Sequence, residues 1–479
     1  VTRAVREFRA GGGRAAPLPT LAVATASGLL VGVAVVGHRP GLGVALSGAV
    51  LWAAATPALV RRRSVTDGSL AVLSVALLGV AAVRDAGWVL ALCVLAATWT
   101  ATAALTGART ALAVLAAPAS WCAGALRALP WLRHGLGEAV GPRRGQLLLV
   151  LRGGAVAVLL VVVFGALFAS ADPVFASLLP RLDVGHLPGQ AFVGLLAAGA
   201  ALTGAQLALA PPPWSAATAR PGRPVSSAEW VLPVAALDAV VLGFVGVQVS
   251  ALAGGHRHVL ETEGLSYAQY AREGFAQLVV ATALTLVVLA VAVRRAPRSG
   301  PRDTLVVRVG LAVLCVGTLG VVLSALRRMD LYVDAFGLTR LRTTVAVAEG
   351  VMGVVLVLLL VAGVRWSGAW LPRVVAGLVG GAVLAFAVAD PDALIVRHNA
   401  QADLAVPLDV RYLQGLSADA VPAMDAVDEP LRTCLLAGAQ VSEPEGGFGW
   451  NLARQRAWQV EDARGSAWSS APEDCVPSR

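Results

Sequence analysis

Two carboxylates stand where carboxylates are costly. Asp238 lies nine residues into one long apolar run, about 13 Å deep at 1.5 Å per residue. Glu349 lies six residues in from the outer end of another, about 9 Å deep. An ionised acid cannot face lipid without a large cost, so each must be protonated, paired or turned inward. Arg152 and Arg308 sit near the inner ends of their own runs and can reach toward Asp238; Gln206 and Gln248 can join them. Such a network is either a proton or ion relay or a polar clamp between helices.

A second group of reactive types falls between apolar runs. Arg272, Arg340 and Arg342 can bind an anionic headgroup or a substrate phosphate, as guanidinium groups do well, or pair with Asp330, Asp334 or Glu273. Tyr267, Tyr270 and Phe275 suit an aromatic belt at a membrane surface. Asp172, in SADP, is the one weak candidate for an enzymatic acid, although Asp-Pro more often ends a helix. His256 and His258, followed by Glu261 and Glu263, could chelate, but the spacing matches no strong zinc pattern. Cys93, Cys122 and Cys315 lie in apolar stretches, whereas Cys434 and Cys475 lie in a polar tail and are candidates for a disulfide if that tail is outside the cytoplasm. No phosphate-binding loop, H-E-x-x-H or hydrolase G-x-S-x-G occurs. No catalytic residue, resident metal or cofactor is expected.

The elements that must carry these residues are set by composition. The chain has 479 residues, 57% apolar and 14% charged. A soluble domain is about 45–50% apolar and about 25% charged. Mean hydropathy is +0.73, and lipid is the solvent that such a chain suits. The net charge is +9, and all 38 basic residues are arginine. They sit in short runs between apolar stretches (Arg61-Arg62-Arg63, Arg143-Arg144, Arg294-Arg295), not in one patch with exposed aromatics. A nucleic-acid partner is therefore excluded.

A spanning helix needs about 20 apolar residues. Eleven spans are predicted, near Leu18–Val36, Leu42–Val60, Ser69–Val83, Trp88–Thr106, Leu147–Ala169, Gln190–Ala210, Glu229–Leu252, Gly274–Val293, Leu305–Leu326, Thr343–Val364 and Leu371–Ala389. A further run, Ala111–Leu126, is broken by Pro118 and leads into Arg127, Arg133 and His134; it reads as re-entrant or interfacial. With residues 1–17 in the cytoplasm, the inner loops hold 20 arginines and the outer ones 9, as the positive-inside rule requires. Arg3, Arg6, Arg9 and Arg14 before the first run mark it as an uncleaved anchor. Four regions follow: a cytoplasmic segment 1–17, N-terminal helices 18–146, a core membrane region 147–389 and a tail 390–479. The tail carries 14 Asp/Glu against 7 Arg, and nothing in it can span. Apolar periodicity predicts short helices at Ala393–Asn399, Leu404–Leu416 and Leu431–Val441, with a looser segment after Gly446-Gly447. The expected fold class is all-α, a polytopic transmembrane helical protein with a small extracytoplasmic helical cap.

The distinctive segments cluster on the outer side. They are SADPVF (Ser170 to Phe175), GLSYAQYAREGF (Gly264 to Phe275), DLYVDAFGLTRLR (Asp330 to Arg342), DPDALIVRHN (Asp390 to Asn399) and LDVRYLQGLSADAVPAM (Leu408 to Met424). Together they make roughly residues 140 to 460 resemble the bacterial membrane proteins of domain of unknown function 4173, and its relative 4153. The resemblance implies a multispanning bacterial membrane protein and supplies no reaction, cofactor or catalytic residue. The tyrosine usual before GLT is here Phe336, so a role needing a phenol hydroxyl there is not expected.

The functional expectation is a non-enzymatic protein of the plasma membrane that senses, regulates or assembles through its outer face. Its expected partners are the lipid bilayer and an envelope protein or anionic lipid. The alternatives are a proton- or ion-coupled transporter using Asp238 and Glu349, and an enzyme on lipid-linked substrates using Asp172 and the outer arginines.

Overall fold

The computed structural model describes residues 15–141, 144–171, 184–212, 227–253, 274–295, 300–365 and 368–465. Every regular element among them is helical. Lipid dictates this, because a segment with no water around it must satisfy its own N–H and C=O groups. Ten helices among the described residues are long and apolar enough to cross a membrane, or up to eleven if one bent pair is a single span. The protein is an all-α polytopic membrane protein.

In chain order the helices are α1 (Leu18–Val35), α2 (Leu42–Trp52), α3 (Thr56–Arg62), α4 (Val65–Gly79), α5 (Gly87–Thr106), α6 (Ala111–Ala116), α7 (Ser120–Val140), α8 (Arg144–Ala171), α9 (Leu187–Leu209), α10 (Ser227–Ala253), α11 (Phe275–Arg295), α12 (Pro301–Phe336), α13 (Arg340–Arg365) and α14 (Leu371–Val388). Packing sorts them into two sets. The first comprises α1 to α7 with α9 and α14; the second comprises α10 to α13, and α13 against α14 joins the two. In the first set, α1 and α9 approach to backbone contact. A Cβ on Gly28 would lie 2.5 Å from the Gly194 carbonyl, and one on Gly32 would lie 2.4 Å from that of Gln190. Small residues four apart allow this approach, and van der Waals contact holds it. In the second set α12 is the spine, with Gly317 and Gly320 receiving Val241 and Val245 of α10.

Three spans depart from expectation. The second is α2 and α3, bent by 56°. The third starts earlier, at Val65, where Ser64 accepts a bond from the Asp67 amide at 3.3 Å and caps the helix. The residues after Leu326 expected as loop instead extend α12 to Phe336, held by burial of Met329 and Val333.

The doubtful run 111–126 belongs to a longer helical stretch, α6 and α7 joined by a tight turn at Pro118. Length and composition alone would let Ala111–Glu138 cross. Its partners favour a different placement. Trp99 Nε1 donates to the Val114 carbonyl at 2.8 Å, and Trp121 Nε1 to Thr102 Oγ1 at 2.7 Å. Gly124 packs on Thr203 and Leu207, Arg127 donates to the Ala210 carbonyl at 3.3 Å, and Ala16 N donates to the Trp131 carbonyl at 3.3 Å. These partners are the last turns of α5 and α9 and the residue before α1, all on one face of the bundle. The helix therefore lies along that face.

The tail folds into a cap of α15 (Pro391–Gln401), α16 (Val410–Gln414), α17 (Val421–Asp425), α18 (Leu431–Ala437) and α19 (Leu452–Arg464). Ile395, Val396, Leu413, Met424 and Leu435 form its core. The segment expected to be loose contains α19, capped by the Asn451 side chain and buried at Ala453 and Ala457. Cap and bundle share backbone bonds: Leu42 N to the Trp450 carbonyl at 2.8 Å, and Ala405 N to the Ala335 carbonyl at 2.9 Å. Since α1 runs from α7 to this contact, the start of α1 and the cap occupy opposite faces.

Candidate functional site: an ionic junction between cap and bundle

The junction is built where three bundle loops meet the cap. Asp390 and Asp392 flank Pro391 at the start of α15. Asp390 takes a left-handed conformation (φ 60°) and accepts from the Ala393 amide at 3.3 Å, an N-cap followed by proline at the first helical position. That turn aims Asp392 inward, where it is fully buried.

Asp392 is saturated with donors. Arg340 grips it with two prongs, Nε to Oδ1 at 2.9 Å and Nη2 to Oδ2 at 2.6 Å. Trp88 Nε1 donates to Oδ1 at 3.2 Å. The Ser417 amide and hydroxyl donate to Oδ2 at 3.0 and 2.7 Å. These charge-assisted bonds hold the carboxyl below its usual pKa despite burial. Trp88 belongs to the first helix set, Arg340 to the second and Ser417 to the cap. One carboxylate thus fastens three parts of the molecule.

Around it lies a second tier. Arg84 donates to Asp390 Oδ2 at 2.5 Å and to the Ala387 and Val388 carbonyls at 2.9 and 2.6 Å, closing the end of α14. Asp419 Oδ2 accepts from the Asp85 and Ala86 amides at 2.8 Å each, and so sits at the N-terminus of α5. Burial, and then the Asp390 charge, push the Asp419 carboxyl up to about 6. Arg454, almost fully buried, pairs with Asp85 at 2.6 Å and donates to the Pro40 and Gly449 carbonyls at 3.0 and 2.6 Å. Asn451 Nδ2 donates to the Ala81 and Arg84 carbonyls at 2.8 Å each. Asn399 bonds both the N–H and the C=O of Leu338, and the Tyr412 hydroxyl accepts from the Arg340 amide at 2.9 Å.

Of the outer-face residues expected from sequence, Arg340 pairs with Asp392 and not with a neighbouring acid. Arg342 donates to the Phe336 carbonyl at 2.9 Å and to that of Gly337, and its guanidinium lies 4.1 Å from the centre of the Tyr332 ring. Asp334 is exposed on the last turn of α12. Asp172, Tyr267, Tyr270, Arg272, His256 and His258 lie outside the described residues. Cys434 is disulfide-bonded, and Cys475 lies outside the described residues; Cys93, Cys122 and Cys315 are free thiols. No cluster of three metal-ligating side chains occurs among the described residues.

The intramembrane residues do not form the one network expected. Glu349 is fully buried and accepts from Thr282 Oγ1 at 2.9 Å, leaving Oε2 without a donor. Gln248 accepts from Ser324 at 3.2 Å. Asp238 lies beside Gly310. Gly353 packs on Val322, so Glu349, one turn beyond on antiparallel α13, is level with about residue 326. Asp238 and Glu349 are thus roughly 24 Å apart along α12. Gln206 is buried in α9 of the other helix set, and the side chains of Arg152 and Arg308 are exposed.

Sequence reading missed Arg84, Asp85, Trp88, Asp392, Ser417, Asp419 and Arg454. Asp392 and Asp419 do fall in the distinctive DPDALIVRHN and LSADAVPAM segments. Their partners Asp85, Ala86 and Trp88 come from some 300 residues earlier and carry no local signal.

No curated protein and no solved structure matches the chain. The family described as Domain of unknown function (DUF4153) matches residues 72–427, which include Arg84, Trp88, Arg340, Asp392 and Asp419. It is the relative, not the first-named 4173, of the two families resembled. A helical membrane bundle matched over most of its length by that one family settles the affiliation: the chain belongs to the family of domain of unknown function 4153.

Proposed function

We propose that the chain is a non-enzymatic, multi-pass protein of the bacterial plasma membrane whose outer cap senses or regulates. The start of α1 faces the cytoplasm and the cap the opposite side. The likeness to domain 4173 in the YAQYAREGF and AFGLTRLR segments is part of this proposal. The observation that carries it is Asp392, which ties the cap to both helix sets at once. Anything that moves the cap must change how the two sets are held together, and this is what a relay from an outer surface requires. The arginine distribution supports the orientation: Arg62, Arg127 and Arg373 cluster on the face away from the cap. A disulfide at Cys434 suits an oxidising compartment.

Photo-crosslinkers at Leu394 and Val406, both exposed on the cap, test the reading in cells. A discrete envelope protein or lipid adduct that disappears in Asp392→Ala is expected. A cap that crosslinks to nothing, in a protein that carries coupled flux in vesicles, would replace regulation by transport.

Transport is the second reading, and Glu349 is the observation in its favour. A fully buried carboxyl with one oxygen lacking a donor suits a site that exchanges protons. Glu349→Gln should abolish coupled flux in reconstituted vesicles while the protein stays folded. Undiminished flux removes this reading.

A further inference from the structure

Among the described residues, charge does not balance at the junction. Four carboxylates, Asp85, Asp390, Asp392 and Asp419, face three guanidinium groups, Arg84, Arg340 and Arg454. Two pairs are exclusive: Arg340 with Asp392, and Arg454 with Asp85. Asp390 and Asp419 are left to share Arg84, which is bonded to Asp390 at 2.5 Å and stands 3.6 Å from Asp419 Oδ1. Asp419 is 4% exposed, and its Oδ1 has no hydrogen-bond donor. The other titratable groups at the site do not fill the gap. Tyr412 is engaged by the Arg340 amide, and Arg397, which is exposed, acts on Asp390 only as its weakest influence.

We propose that the junction takes up one proton, held between Asp419 and Asp390, as the cap seats on the bundle, so that mild acid outside clamps the cap and neutral pH loosens it. The proton adds to Asp419 Oδ1, the oxygen that lacks a donor, and the resulting hydroxyl can donate within the site. Asp392 and Asp85 keep their charges and hold the register. Burial acts in the same direction, since it places Asp419 near 6 when seated, whereas an exposed aspartate titrates near 4. A group raised in the seated state favours seating fully below its free value and loses that contribution as pH rises through the seated one. Between pH 7.5 and pH 5 the seating equilibrium should strengthen about tenfold.

This inference rests on the proposed role of the junction only for its consequence, because seating can be measured without knowing what the cap senses. The experiment is hydrogen–deuterium exchange on the full chain in nanodiscs, following peptides of α15 and α19 at pH 5 and pH 7.5. Wild type is compared with Asp419→Asn, which carries the neutral form permanently, so the intrinsic pH dependence of exchange cancels in the ratio. The variant should show about tenfold more cap protection than wild type at pH 5 and about a hundredfold more at pH 7.5, about a tenfold change in the ratio. Should Asp419→Asn fail to fold, Asp390→Asn serves, since Asp419 then has Arg84 to itself, and the ratio should again rise between pH 5 and pH 7.5. A ratio unchanged between the two pH values overturns the proton. Protection of wild type at pH 7.5 restored by sodium or calcium chloride, but not by choline chloride, would show that a metal cation and not a proton balances the charge, and overturn it equally.

Discussion

Arg340 and Asp392 meet side by side, both guanidinium prongs on both carboxylate oxygens, with the acid fully buried and the base one-third exposed. The pair orders the cap because Asp392 has no water to fall back on. Removing Arg340 would leave a buried carboxylate with only neutral donors, and breaking such a pair costs about 3–5 kcal/mol. Arg340→Ala should therefore unseat the cap at neutral pH. Arg340→Lys should recover part of the loss, since an ammonium cannot match the fork. Thermal unfolding of the purified protein, with limited proteolysis after Gln401, reads both. Equal stability of all three proteins would show that the pair contributes nothing.

The same carboxyl sets a lower pH limit. Its pKa is held below the usual value, so the stability it supplies is present above the ordinary aspartate range and is lost as pH falls through the lowered value. Cap protection should collapse only in strong acid, well below the window in which Asp419 titrates. In Asp392→Asn, which carries the neutral form permanently, cap protection should already be lowered at neutral pH and fall no further in strong acid, while the increase between pH 7.5 and pH 5 persists.

The helices were legible because lipid leaves the backbone few choices, and Val, Leu and Ala runs of the right length announce them. That α7 should lie in the membrane plane is an expectation of a different kind, resting on Arg127, Arg133 and His134, which follow directly on the apolar run. The junction was not legible. Asp392, Trp88 and Arg340 are each ordinary in their own neighbourhoods, and only the folded chain brings residues 88, 340 and 417 to one carboxylate. Asp238 and Glu349 drew notice because each is rare in its setting, yet rarity in two helices does not make them neighbours.

On the face away from the cap, Arg62 does for two helices what a cap residue does for one. Its guanidinium donates to the Leu105 carbonyl at 2.9 Å and to the carbonyls of Ala104, Leu207 and Ala208, closing the last turns of α5 and α9 together. Arg373 adds a bond to the Ala108 carbonyl and an ion pair with Asp67 at 2.9 Å. Arg62→Ala should lower stability by about 1–3 kcal/mol, the cost of leaving such groups unsatisfied. Arg61→Ala, at an exposed neighbour, should do nothing measurable. Thermal unfolding in detergent compares the two.

The contact of α1 with α9 makes a sharper contrast within one helix pair. A side chain at Gly28 would run into the Gly194 carbonyl and the Ala198 Cβ, whereas one at Gly199 would meet nothing within 4 Å. Gly28→Val should force the helices apart and cost about 1–3 kcal/mol, the range for overpacking. Gly199→Ala should be neutral or stabilise by about 0.5–1 kcal/mol, because alanine loses less freedom in a helix. Similar losses in both variants would mean that the crossing is looser than these distances show.

The lie of α7 along one face can be measured directly, because the chain supplies its own probe. Cys122 is free and exposed, while Cys93 and Cys315 are free but buried. It shares an outward stripe with Leu126, Leu129 and Leu136, opposite the face that Gly124, Trp131 and Gly135 turn to the bundle. Over the 21 residues from Val114 to Gly135, about 31 Å of helix, the partners shift only from the seventh residue inside α5 to the residue before α1, about 10 Å in depth. A crossing helix of that length would traverse the whole hydrocarbon core of about 30 Å. Nitroxide labels at Cys122 and at cysteines replacing Leu129 and Leu136, in a Cys122→Ser background for the latter two, should all report shallow depths on one side of the bilayer. A label at Leu129 that proves deeper than those at both flanking positions, or flanking labels that report opposite sides, would show that the helix crosses.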